Sequence, residues 1–138
     1  KLRNACGDSL GANFDPSHFF WQGIEPIEAV RALGDAIFHV HAKDSKVYVE
    51  NARVNGVLDV KHYGDELNRS WIFRTCGYGH GYEWWKEFIS TLRMVGYDYV
   101  LSIEHEDSLM SNTEGLAKAA AFLNLAIIGA KPTEMTWA

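Results

Sequence analysis

Three residues of types that suit divalent-cation chemistry sit at comparable places along this chain: Asp15, His41 and Glu104. Each follows a short run rich in β-formers, namely Leu10-Gly11-Ala12-Asn13-Phe14, Ala36-Ile37-Phe38-His39-Val40 and Tyr99-Val100-Leu101-Ser102-Ile103. Two carboxylates offset the charge of a hard or borderline cation, and a neutral imidazole adds selectivity for Mn, Co, Zn or Fe over Ca. Alone, each residue has a blander use. Asp15 before Pro16 suits a turn, His41 suits a hydrogen-bonded interior histidine, and Glu104 in Glu104-His105-Glu106-Asp107 suits a solvated acidic loop. Three equivalent strand ends together favour the metal.

The elements that must position these residues follow from local pattern. Strands are expected over about 10–15, 36–42 and 99–104. Helices are expected over about 26–33, 83–95 and 112–128. Pro26 suits a first helical position, Gly34 and Gly96 suit helix ends, and Ser111 with Glu114 forms a capping box. Leu116, Ala119, Ala120, Leu123 and Ile127 would share the buried face of the last helix, closed by Gly129. Residues 43–82 hold no period and form a long loop, with a short strand at Trp71–Arg74. Lys131 to Ala138 forms a tail. The order β-α-β-loop-α-β-α is that of parallel strands joined by crossover helices.

Side chains alternate across a strand. Leu10, Ala12 and Phe14 share one face in the first strand, with Phe38, Val40 and Ala42 in the second and Leu101 and Ile103 in the third. The opposite face turns polar toward each C-terminal end. Parallel strands buried on both faces are nearly apolar throughout, so this polarity marks a ligand site. In α/β proteins ligands gather at that end of the strands.

The three motifs in order, Asp15-Pro16-Ser17-His18, His39-Val40-His41-Ala42-Lys43-Asp44 and Gly96-Tyr97-Asp98-Tyr99-Val100-Leu101-Ser102-Ile103-Glu104-His105-Glu106-Asp107, resemble the xylose isomerase-like superfamily of sugar phosphate isomerases and epimerases, which also holds inosose dehydratases and endonuclease IV. The resemblance implies an α/β fold, the last three strand–helix units of a (β/α)₈ TIM barrel. It also implies a divalent metal (Mn, Mg, Co or Zn) held by Asp15, His41, Glu104 and a further glutamate on an earlier strand, which this chain lacks. The metal would bind two adjacent sugar oxygens and stabilise an enediolate, with Glu104 doubling as an acid/base group. His18 would lie near substrate or metal. Lys43 and Asp44 suit either positioning of hydroxyls or a solvated loop pair, Arg74 either contact with an oxyanion or phosphate or a surface place, Trp21 either a pocket wall or core packing, and His80 among glycines either a mobile lid or a plain loop. Ketose 3-epimerases of the family carry an arginine shortly after the metal histidine, whereas Lys43, Lys46 and Val47 stand here.

The expected function is therefore isomerisation or epimerisation of a sugar or sugar phosphate. A lyase or dehydratase acting on an inosose or 3-keto-glycoside could use the same residues. A non-catalytic fragment is the reading from another class, since three barrel strands leave two open sheet edges to be covered by a second copy or by the rest of a barrel. The chain starts at Lys1 without Met, which fits a segment of a longer protein.

Bulk composition narrows the remaining classes. Of 138 residues, 47% are hydrophobic and 22% charged, and five Trp, six Tyr and seven Phe argue for a packed core over disorder. The net charge of −5, without a basic stripe, argues against nucleic acid. The D-x-H pair of endonuclease IV is also lacking, its nearest counterpart being Asp59-Val60-Lys61-His62 at the wrong spacing. No apolar run reaches the ~18–20 residues of a membrane span. Cys6 and Cys76 stand far apart and suit free thiols in a cytoplasmic protein.

Overall fold

A computed structural model describes residues 1–136. Three parallel strands, β1 (Ala12–Phe14), β2 (Ile37–Ala42) and β5 (Leu101–Ile103), form one sheet in the order β1-β2-β5. Helix α3 (Pro26–Leu33) links the first two, and α5 (Tyr82–Met94) leads into the third, with α6 (Asn112–Ala126) after it. The sequence carries each boundary. Glu25 accepts from the Ile27 amide at the start of α3, Pro26 opens it, and Gly34 at φ 55 leaves it. Ser111 accepts from the Glu114 amide at the start of α6.

The core lies between the sheet and these helices. Phe14, Val40 and Ala42 from the strands meet Ile27 and Val30 of α3, Trp85, Phe88 and Leu92 of α5, and Ala119 and Leu123 of α6. Full burial of such side chains stabilises by roughly 1.5–3 kcal/mol each. The other face of the sheet carries Asn13, His39, His41 and Ser102, as the alternation predicts. Its long polar side chains are linked across the strands by hydrogen bonds.

Four expectations are corrected. Residues 43–82 are no loop: β3 (Asp44–Val47) and β4 (Trp71–Arg74) pair antiparallel, and α4 (Val49–Asn55) begins the excursion between them. Asp59 ties that excursion together by accepting from the Lys61 and Ser70 amides, a long-range link that local periodicity cannot show. Phe38 leaves the buried face and is half exposed, because the β1–β2 register shifts between Ala12 and Asn13. Its ring covers Gly11, where a Cβ would collide with it, and the Arg3 guanidinium lies over it. The buried stripe of α6 is Gly115, Ala119, Leu123 and Ala126, with Leu116 and Ile127 exposed. That helix ends at Ala126 on an extended Ile127, so Gly129 does not close it.

Two short helices were also not anticipated, α1 (Leu2–Cys6) and α2 (Ser17–Phe20). Residues 130–136 form no helix or strand, and the rest of the expected tail, 137 and 138, lies outside the described residues. Both cysteines are free, Cys6 exposed and Cys76 buried. No helix among the described residues is long and apolar enough to cross a membrane.

Candidate functional site

Asp15 follows β1, His41 is the fifth residue of β2, and Glu104 follows β5, so all three lie at the C-terminal end of adjacent parallel strands. The Glu104 amide donates to Ala42 O at 3.3 Å, continuing the β2–β5 ladder one residue further and setting the Glu104 side chain beside that of His41. His41 Nδ1 is 3.4 Å from Glu104 Oε2. The Asn13 side-chain amide donates to His41 Nε2 at 3.0 Å. That assigns the proton of the neutral ring to Nδ1, which faces Ser102 Oγ at 3.1 Å and Glu104. Ser102 Oγ in turn lies 2.7 Å from His39 Nε2. Asn13, Ser102 and His39 thus hold the imidazole from three sides. Their placement on the inward face was visible in the alternation, but their partnership was not.

Lys43 is buried, although it is the first residue beyond β2. Its ammonium lies 2.8 Å from Glu104 Oε1, 2.9 Å from Glu106 Oε2, and 4.0 Å from the centre of the Phe73 ring. Burial works against the ammonium, but hydrogen bonds and charge from Glu104 and Glu106 outweigh it and raise its pKa. The Lys43 hydrogen bond chiefly holds the Glu104 carboxyl below its ordinary value, with smaller help from the charges of Lys43, His41 and His18. Glu104 therefore stands ionised at neutral pH. Glu106, exposed and not singled out from sequence, is the other half of this clamp.

Asp15 holds both a turn and a partner. Oδ1 accepts from the Ser17 amide at 2.9 Å, the turn role, and Oδ2 is 3.4 Å from His18 Nε2. His18 is exposed and meets Phe73 edge-on, with ring centres 5.7 Å apart. Phe73 is thus a shared wall, touched by His18 on one side and Lys43 on its face.

The remaining expected site residues lie apart from this group. Trp21 stacks on Trp71 at 4.9 Å and 9°, and its Nε1 is buried with no hydrogen-bond partner among the described residues. The Arg74 guanidinium is committed to Glu66, Asp107 and the Tyr48 hydroxyl. Burial opposes its charge, yet Glu66 and Tyr48 raise its pKa further. His80 is pinned: Nδ1 is 2.7 Å from Asp44 Oδ1, and its ring stacks on Phe20 at 3.7 Å and beside Trp84. A ring held this way is a poor lid. Asp44 is fully buried and accepts from the amides of Ser45, Gly77, Gly79 and His80, so it anchors a loop and presents nothing to a substrate.

The donor types fit a divalent cation, but their arrangement is incomplete. Asp15 pairs with His18 and His41 with Glu104, and among the described residues no three Asp, Glu, His or Cys side chains gather around one point. These residues do not by themselves close a metal site.

A protein of Bacillus subtilis (strain 168) called Uncharacterized protein YfiH is 43% identical over 127 residues, spanning 92% of this chain and 41% of its own length. The crystal structure of a xylose isomerase domain protein from Planctomyces limnophilus matches with a TM-score of 0.66 at 25% identity, over 91% of this chain and 40% of that one. This chain therefore spans about two fifths of the length of both. The α/β sheet of parallel strands is the corresponding part of a barrel. The model of the xylose isomerase-like TIM barrel family matches residues 2–126, and the chain belongs to that family.

Proposed function

We propose that this chain supplies one side of the site of a barrel that isomerises or epimerises a sugar by moving a carbon-bound proton. The observation that carries this is the His41–Glu104–Lys43 group, built from two neighbouring parallel strands at the same end as the Asp15–His18 pair. Glu104 is the proton acceptor. While Lys43 holds one of its oxygens, it is a weak base. When the ammonium turns from Glu104 to a substrate oxygen, it strengthens the base and meets the negative charge developing on that oxygen. The C–H bond breaks toward Glu104, its electron pair passes into the enediolate, and the proton returns to the neighbouring carbon or, from a second group such as His18, to the opposite face.

Asp15, His41 and Glu104 would contribute part of the ligand set of a divalent cation (Mn, Mg, Co or Zn), completed by donors outside this chain. The open edges of β1 and β5 call for pairing with further strands, from the rest of a barrel or a second copy. The test is exchange of carbon-bound hydrogen for deuterium in D₂O, by the full-length protein with each cation and a panel of aldoses, ketoses and their phosphates. Exchange into one of them, abolished by Glu104→Gln, supports the reading. No exchange in any combination sinks it.

A further inference from the structure

Resting on that reading, we infer that the substrate is an unphosphorylated sugar or polyol, bound in the cavity beside Lys43, and that phosphate esters are rejected there. The cavity, about 510 Å³, is lined by Tyr63, Glu106, Asp107 and Ser108. It suits a monosaccharide, small-ligand pockets being roughly 300–1,000 Å³. It adjoins the acid/base group directly, because Glu106 shares the Lys43 ammonium with Glu104. Tyr63, 42% exposed, presents a ring stacked on Phe73 at 6.1 Å and 17°. With Phe73 beside it and the Arg69 guanidinium over it, the Tyr63 ring offers its apolar edge to the C–H groups of a sugar.

What faces the cavity is acceptor-rich, and the nearby cations are outweighed or paired. Lys43 lies between two carboxylates, so its surroundings stay net negative even when the ammonium turns to a substrate oxygen, and Arg74 is bound by Glu66 and Asp107. Lys61 pairs with Asp59. Arg69, 2% exposed, lies 4.1 Å from the Tyr63 ring centre and donates to the carbonyls of Trp71 and Lys61, so no phosphate can reach it. Asp107 accepts from the amides of Thr75 and Leu109, and the Ser108 hydroxyl donates to Glu66. The group left for a ligand is the Glu106 carboxylate, half exposed and holding Lys43 through Oε2. Sugar hydroxyls can donate to it, whereas a phosphate dianion meets like charge. Lys46, an exposed ammonium, lines a separate cleft with Phe20, Glu25 and His80.

The test is calorimetric binding of D-fructose against D-fructose 6-phosphate, and D-glucose against D-glucose 6-phosphate, to the full-length protein at low and high salt. The expected result is binding of a neutral sugar with its ester at least about tenfold weaker, the gap narrowing with salt and in Glu106→Gln. Tyr63→Leu should lose the neutral sugar and Tyr63→Phe should keep it, which separates a ring platform from a folding defect. Equal or tighter binding of the ester, binding of neither neutral sugar, or a gap unchanged in Glu106→Gln would overturn the inference. An ester that binds and also exchanges deuterium would do so while leaving the isomerase reading standing.

Discussion

In the proposed reaction Glu104 is a base only conditionally. Lys43 favours its ionised form, and the same contact makes it a weaker base. Glu104→Gln removes the base and, on the proposed ligand set, a metal ligand, so deuterium exchange should fall by at least about 10²–10⁴-fold in single-turnover measurements. Thiol reactivity makes a second residue-scale prediction. Burial, with the nearby Asp44 charge adding to it, raises the Cys76 thiol pKa far above its ordinary value. Iodoacetamide at neutral pH should therefore label exposed Cys6 and spare Cys76 until the protein unfolds, as peptide mass mapping would show. Labelling of both at equal rates would contradict the buried position.

At the scale of elements, the excursion between β2 and α5 is stabilised by buried polar anchors. The Asp44 carboxylate gathers the Gly77–His80 loop through three backbone amides and the His80 ring. Asp44→Asn turns an amide N–H₂ toward some of these donors. It should destabilise by about 2–4 kcal/mol in urea unfolding. A glycine of α6 and the N-cap glycine of α5 offer a paired comparison. A Cβ at Gly115 would strike the His105 ring, whereas one at Gly81 meets open space. Gly115→Ala should cost about 1–3 kcal/mol, and Gly81→Ala, at the N-cap of α5, should cost less, at most about 1 kcal/mol. The elements preceding and following these anchors were legible before the structure: α3, α5 and the three parallel strands each carry a local period and local caps. Strand β4 was legible as the short strand at Trp71–Arg74, but β3, its pairing with β4, and α4 were not, because the segment is tied together by Asp59 and Asp44 contacts that span up to dozens of residues.

For the molecule as a whole, acid is the informative perturbation. Burial alone would raise the Asp107 carboxyl, but the Thr75 and Leu109 amides and Arg74 together hold it below the ordinary value. Lys61 and Ser70 hold Asp59 far lower still. Folded pKa values below unfolded ones mean that this stability is present above about pH 4 and is lost as pH falls through the folded values. The urea midpoint should accordingly fall on acidification below about pH 4, and Asp107→Asn should flatten that dependence. A second whole-molecule prediction concerns metal. On the proposed ligand set, the full-length protein should hold a divalent cation that Glu104→Gln loses, by elemental analysis.

What the sequence determined by itself was whatever depends on near neighbours along the chain. Alternation placed Asn13, His39, His41 and Ser102 on one face, caps bounded α3 and opened α6, and the motifs led to the xylose isomerase-like family to which the chain belongs. Tertiary structure alone decided which polar groups remain free. Arg74 and His80 have the right types for a substrate site, but Glu66, Asp107 and Asp44 arrive from distant positions and engage them. Glu106 looked like one acid in a solvated run until Lys43 folded against it. Residue type is local, whereas the availability of a charge depends on every charge the fold brings within a few ångströms of it.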